Sequence, residues 1–360
     1  MDAETAQQTS RPSDGDVPGA LARIAGAVVH DGGACRCDPG EIRVLADRED
    51  GTVVRHGGLV AKAHAPGVAD GPHAARLALA AHPDLGGILL PPVPGPRRER
   101  VAGRPVTVWP YGPPVDPEDP DAAPWEEAAR LLALLHRTPP PPGPAGPLPA
   151  MRAPEKAALA VGRMLRTAGH HPAAATVLAA WHTVTATDPT AVPARETVPA
   201  RETVPARETV PARESAPARE SAPGTGATRA YLCHGDFHLG QLVRDFRGAW
   251  RLIDVDDAGL GDPAWDLARP AAWFAAGLLP AEVWTRFLGA YEAAGGPACG
   301  ADPWARLDLP ARALTVQTAA LALAKSTGEG RELDEVEGVM IDTCARIART
   351  RTAPSSAASP

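Results

Sequence analysis

Hydrophobic and polar positions divide the chain into two regimes. Between residues 40 and 112 the apolar runs are short, alternating or β-branched. Glu41–Ala46, Thr52–Arg55 and Leu59–His64 read as strands, separated by the turn signals Glu49-Asp50-Gly51 and Gly57-Gly58. A helix over 72–82 follows, then strands at Ile88–Leu90 and Pro105–Trp109. After residue 120 the period lengthens. In 125–137, Ala128, Leu131, Leu132 and Leu135 fall on one helical face. Segments 154–168, 172–187, 280–294 and 303–325 are also helical in pattern. One strand-rich island, 230–256, interrupts them. Ala230–Cys233 reads as a strand, and Leu242–Arg244 pairs with Trp250–Val255 across the turn Phe246-Arg-Gly-Ala. This hairpin would hold the polar loop His234–Gln241 at one edge. A small strand-rich half followed by a larger helical half predicts an α+β, two-lobed chain.

Length and composition refine the boundaries. A chain of 360 residues exceeds what one compact core needs. The pattern divides it into an N-terminal lobe over 19–112 and a helical C-terminal lobe over 113–350. Polar, Ser- and Pro-rich ends (1–18 and 351–360) are expected to be disordered. Pro139–Pro149 reads as a stiff linker. From Pro193 to Ala222 runs a hexapeptide repeat, PARETV then PARESA, with a proline at every sixth position and almost no large apolar side chain. Such a segment cannot bury enough area to offset its ordering entropy, so 188–228 is expected to be a flexible insertion.

A net charge of −7 argues against a nucleic-acid binder that relies on a general basic surface. No run of 18 apolar residues exists, and the N-terminus is acidic and polar, so neither a membrane span nor a secretory signal is expected. Five cysteines in no disulfide-like spacing suggest a reduced, cytoplasmic protein. Cys35-x-Cys37 has no second cysteine pair to complete a tetrahedral metal site. Of 36 basic residues only Lys62, Lys156 and Lys325 are lysine, which singles out Lys62 within a strand.

Three carboxylates converge on the 230–256 island: Asp236, Asp254, and Asp256 or Asp257. Asp254 ends an apolar strand, where a carboxylate needs a cation or a donor beside it. With Gln241 they make a hard-oxygen cluster, suited to magnesium rather than zinc or copper. His234 is read as orienting the loop through its ring, and Asp262 and Asp266 as capping the helix that follows. Trp265, Trp273 and Trp284 are read as core.

The loop His234-Gly-Asp-Phe-His-Leu-Gly-Gln, then Asp254, then Gly261-Asp-Pro-Ala-Trp-Asp-Leu-Ala, resembles the aminoglycoside phosphotransferase and choline-kinase-like family. Its HGDxHLGQ form is also similar to that of maltokinases. The resemblance spans about residues 35–340 without the repeat and implies a protein-kinase-like fold. It implies an ATP- and magnesium-dependent kinase that phosphorylates a hydroxyl of an aminoglycoside-, sugar- or amino-alcohol-like small molecule, as a monomer or homodimer. Residue by residue, it implies that Asp236 is the catalytic aspartate. Asp254 and Gln241 would be metal ligands, Gln241 standing where the family usually has asparagine. Lys62 would pair with the α- and β-phosphates, and the Trp109–Tyr111 hinge would reach adenine. The chain departs from the family pattern in two places. No glycine-rich loop precedes Lys62, and the 72–82 helix has no glutamate to pair with that lysine, leaving Asp70 or a residue elsewhere. These departures suggest an alternative, a non-catalytic nucleotide-binding scaffold. A third reading takes His234-x-Asp236-x-His238 as alternate ligands of a metallohydrolase.

Overall fold

The computed structural model describes residues 16–30, 37, 42–48, 50–94, 99–141, 147–187 and 230–350. The 188–228 insertion and the 351–360 tail lie outside these, save that helix ends and strand starts abut them. The chain divides into two units, residues 1–153 with 231–311, and residues 154–230 with 312–360.

In the first unit, helix α1 (Val17–Val29) precedes the sheet. Strands β1 (Ile42–Arg48), β2 (Gly51–His56) and β3 (Leu59–Ala63) come next, then helix α2 (Asp70–Ala80), β4 (Arg100–Val101) and β5 (Arg104–Pro110). The five strands form an antiparallel sheet in the order β1-β2-β3-β5-β4, with a bulge in β1 between Val44 and Ala46. α1 covers one face. Leu21 and Ala25 pack against Val54, Ala61, Ala63 and Val106. Side chains alternate along a strand, so Lys62 points to the opposite face from Ala61 and Ala63.

Helix α3 (Trp125–Arg137) follows the sheet, with acidic residues in its first turn and His136 and Arg137 in its last. After it the chain forms α4 (Ala153–Ala168) and α5 (Ala174–Thr187), then β6 (Tyr231–Cys233), β7 (Leu242–Arg244), β8 (Trp250–Leu252) and β9 (Gly259–Gly261). β7 pairs with β8, and β6 with β9. Helices α6 (Ala264–Ala276), α7 (Ala281–Ala293), α8 (Trp304–Glu329) and α9 (Glu335–Arg349) complete the described chain. In the second unit α5 packs on α9, where Trp181 and Val184 are buried on one helix and Met340, Cys344 and Ile347 on the other. A capping box between Asp334 and Glu337 starts α9.

The α+β expectation holds. Two local expectations do not. α1 begins at Val17, inside the stretch expected to be disordered through residue 18. Asp16 caps it through a 2.9 Å bond from the Gly19 amide, and proline occupies its first turn, where no donor is missed. Ile88–Leu90 makes only an isolated bridge, Leu89 with Leu252, instead of a strand. Pro91 and Pro92 follow at once, and neither has an amide to extend the ladder.

Candidate active site

β3 aims Lys62 at the loop after β8. Its ammonium lies 2.7 Å from Asp254 Oδ1 and 2.9 Å from Asp256 Oδ2. The two carboxylates replace the missing helix glutamate as its partners. Asp70 instead pairs with Arg100 at 2.5 Å. Burial alone would lower the Lys62 pKa, but the charges of Asp256 and Asp254 outweigh it and raise it above the ordinary lysine range. Burial would likewise raise Asp256, yet Lys62 and then His64 hold it well below the usual carboxylate range. Asp254 itself adopts a left-handed backbone (φ 62°, ψ 71°), a conformation Asp tolerates better than most residues.

His64, two residues beyond Lys62, reaches the same carboxylate. Its Nδ1 is 2.8 Å from Asp256 Oδ2 and its Nε2 is 2.7 Å from Thr107 Oγ1. Thr107 also accepts a 2.8 Å bond from Trp109 Nε1. A continuous chain therefore runs from Trp109 through Thr107, His64 and Asp256 to Lys62. The backbone amide of Tyr111 donates to the Gly58 carbonyl at 2.8 Å, and the Arg55 guanidinium lies 3.8 Å from the centre of the Tyr111 ring. That amide is thus engaged within the sheet.

The loop carrying Asp236 is set from two sides. On one side His234 Nε2 donates to the Ile253 carbonyl at 2.7 Å, and the Ile253 amide donates to the Gln241 carbonyl at 2.9 Å. Both backbone groups of the residue before Asp254 are thereby held by the loop of Asp236. On the other side lies Asp266. Its carboxylate does not cap α6 as expected. It accepts the amides of His234 at 2.6 Å and Gly235 at 2.7 Å, and sits 2.9 Å from His136 Nε2. Its burial is complete, which would raise its pKa. The His136 contact and the loop amides outweigh that and hold it low. His136 Nδ1 is 2.7 Å from the Tyr291 hydroxyl, which in turn accepts the Ala298 amide at 3.2 Å. Gly235 has φ +82°, and a Cβ there would fall 2.2 Å from the Asp257 carbonyl oxygen, so only glycine fits.

Asp236 Oδ1 accepts a 2.7 Å bond from Arg269 Nη2, on α6. Asp257 turns away from Lys62 and pairs with Arg152 at 3.1 Å, so Asp256 and not Asp257 is the third carboxylate of the cluster. Gln241 is buried in the turn just before β7. α2 offers His73 and Arg76 in place of a glutamate. The His73 ring lies edge-on to His64 with centroids 4.4 Å apart, and Arg76 Nε donates to the Ala258 carbonyl at 2.7 Å. Lys62 and Asp254 are thus in contact, and the loop of Asp236 and Gln241 is bonded to the residue before Asp254. Asp256 was one of two alternatives with Asp257, whereas His64, Arg269 and the pairing of His136 with Asp266 were not anticipated. Of these, only His64 carried a signal, the strand period that puts it on the face of Lys62.

β1 and β2 pair as far as Arg48 and Gly51, which leaves two residues between them and no room for a long glycine-rich flap. The start of β2 still reaches the site, because a Cβ on Gly51 would lie 3.9 Å from Lys62 Cε. Beyond Asp236, Phe237 stacks on Phe287, which stacks on Trp284. Trp265 and Trp284 are buried, as expected of core, whereas Trp273 is only half-buried. Among the described residues, the groups close enough to share a metal through His, Cys or carboxylate atoms include none of His234, Asp236 and His238. No described helix is long and apolar enough to cross a membrane.

Residues 41–309 match the model of the phosphotransferase enzyme family. No curated protein matches the chain. Among solved structures it is similar to a microcompartment-associated aminopropanol kinase, with 16% identity over 91% of this chain and 94% of that one and a TM-score of 0.55. A choline/ethanolamine kinase family protein from Mesorhizobium loti has 16% identity over 91% and 94%, with a TM-score of 0.53. A thermostable mutant of an aminoglycoside phosphotransferase, in ternary complex with AMP-PNP and hygromycin B, has 14% identity over 91% and 99%, with a TM-score of 0.51. These likenesses establish a shared kinase-like fold, and with the family match they show that the chain belongs to the phosphotransferase enzyme family.

Proposed function

We propose that the protein transfers the γ-phosphoryl group of ATP to a hydroxyl of a small-molecule acceptor of the aminoglycoside, sugar or amino-alcohol type. One observation carries this reading. The only strand lysine of the sheet meets Asp254 at 2.7 Å across 192 residues, while the residue before Asp254 is hydrogen-bonded on both sides by the loop of Asp236. Lysine, hard carboxylates and a loop aspartate are the parts phosphoryl transfer needs, since its catalysis is positioning and charge neutralisation.

In this reading Asp236 orients the acceptor hydroxyl and takes its proton as the oxygen bonds to phosphorus and ADP leaves. Arg269 fixes the Asp236 carboxylate from behind. Asp254 and Gln241 would hold magnesium. The fit is chemical: Asp254 and Asp256 are hard oxygen donors, their side chains are 34% and 28% exposed, and two carboxylates against one ammonium leave a net negative site. Magnesium, when bound, would neutralise charge on the phosphates. Lys62 would pair with the α- and β-phosphates. Trp109 and Tyr111 form the hinge beside adenine, and the engaged Tyr111 amide leaves that contact to the other backbone groups of the segment.

The test is the thermal midpoint with Mg-ATP, Mg-GTP and magnesium alone, on the wild type and Asp254→Ala. A rise with Mg-ATP that is lost in the variant is expected, followed by ADP release with at least one member of an acceptor panel. No shift with either nucleotide, or a shift undiminished in Asp254→Ala, would remove this assignment, and a shift with no ADP release across the panel would favour the non-catalytic nucleotide-binding scaffold.

A further inference from the structure

α1 ends against His30, and the ring of His30 lies edge-on to that of His56, the last residue of β2, with centroids 5.5 Å apart. Cys37, between α1 and β1, places its sulfur 3.3 Å from His30 Nε2. One ligand atom from each of the three residues lies within 4.8 Å of the other two. His56 is buried, and its Nδ1 is 2.8 Å from the Ala22 carbonyl on α1. A carbonyl can only accept, so Nδ1 carries the proton and Nε2 the lone pair. A backbone carbonyl on the far nitrogen is how proteins orient a metal-ligating imidazole and set its tautomer. α1 makes room for this ring. A Cβ on Gly26 would fall 2.6 Å from His56 Cε1.

We propose that His30, Cys37 and His56 form a zinc site, with water completing the tetrahedron, that ties the end of α1 to the end of β2. Two imidazoles and a thiolate suit zinc, and they do not suit magnesium or calcium. Zinc–nitrogen and zinc–sulfur bonds of about 2.0 and 2.3 Å put the two ligand atoms about 3.5 Å apart in a tetrahedron. The observed 3.3 Å separation of His30 and Cys37 is already close to that value. Two other groups of potential ligands occur among the described residues, and both are committed elsewhere. His64 spends both ring nitrogens on Asp256 and Thr107, and Asp266 with His136 carries the loop of Asp236.

The site would be structural. It closes the connection between a helix that covers the sheet and the sheet itself, on the face away from Lys62. Binding there would release the thiol proton of Cys37 to solvent and add stability only to the folded state.

The full chain, produced in zinc-supplemented medium and dialysed, should retain about one zinc per chain by elemental analysis. His30→Ala and Cys37→Ser should retain less than roughly a tenth of the wild-type zinc. A chelator should lower the thermal midpoint of the wild type and leave that of both variants unmoved. Replacement by cobalt gives a second readout. A thiolate-to-cobalt charge-transfer band should appear in the wild type and vanish in Cys37→Ser. Cobalt held by the carboxylates near Lys62 has no sulfur ligand and cannot give that band. Wild-type protein with neither retained zinc nor the thiolate band would overturn the proposal, and so would Cys37→Ser that holds as much zinc as the wild type. If the variants do not fold, the wild-type cobalt spectrum decides alone.

Discussion

Replacing Asp266 by asparagine changes one atom and almost no volume, yet the structure predicts a large loss of stability. Oδ1 accepts the Gly235 amide, and Oδ2 accepts the His234 amide while facing His136 Nε2. An asparagine keeps one oxygen and turns the other into a donor. Turned one way, its NH2 group opposes the Gly235 amide. Turned the other way, it opposes the His234 amide. Either orientation removes one hydrogen bond to a charged acceptor, about 1.5–3 kcal/mol, and strands a buried amide at about 1–3 kcal/mol. The side chain has no exposed surface through which water could substitute. The expected sum is about 2.5–6 kcal/mol, a large share of the 5–15 kcal/mol that holds a typical domain together. Urea unfolding followed by tryptophan fluorescence measures it, with Trp265 buried one residue away. A loss below about 1 kcal/mol would refute the reasoning, because it would mean the loop amides do not depend on a charged acceptor.

Asp236→Asn should lower turnover by roughly 10²-fold or more while the Mg-ATP thermal shift persists. Unchanged turnover would take Asp236 out of the chemistry. His73 supplies a pH prediction. Burial first, then neighbouring charge at His64, lowers its pKa from 6.5 to about 4. The unfolded chain therefore binds a proton near pH 6.5 that the folded chain refuses until about pH 4, so this residue removes stability as pH falls through that window. Discounted for partial solvent screening, the effect is about 1–2 kcal/mol. His73→Phe, which keeps a ring against His64, should lose less stability between pH 7 and pH 5 in urea titrations than the wild type. Equal losses would show that His73 does not titrate as described.

How far the sequence could be read depended on whether a feature was local. The helices α3, α4, α5, α7 and α8 followed from apolar spacing, and β2, β3 and β5 from alternation bounded by turn signals, because periodicity reports a buried face directly. α1 escaped notice. Its Ala, Gly and Val composition carries little period, and its helix is held by packing on Val54 and Ala61. At the site, Lys62, Asp236, Gln241 and Asp254 stood out because each lies in a short motif. The partners of Lys62 could not be read that way. Asp256 and Asp257 are neighbours in sequence, and only the turn after Asp254 decides which one faces the lysine and which faces Arg152. Arg269 and His136 meet Asp236 and Asp266 across more than 30 residues of chain, where spacing says nothing.

Helix α2 carries an arginine that ties it to the segment after Asp254. The guanidinium of Arg76 is buried, donates to the Ala258 carbonyl and cannot shed its charge. Pulling α2 away from that segment would break a hydrogen bond from a charged donor, about 1.5–3 kcal/mol. Helix α2 and the turn that carries Asp256 are therefore expected to shift together, not independently.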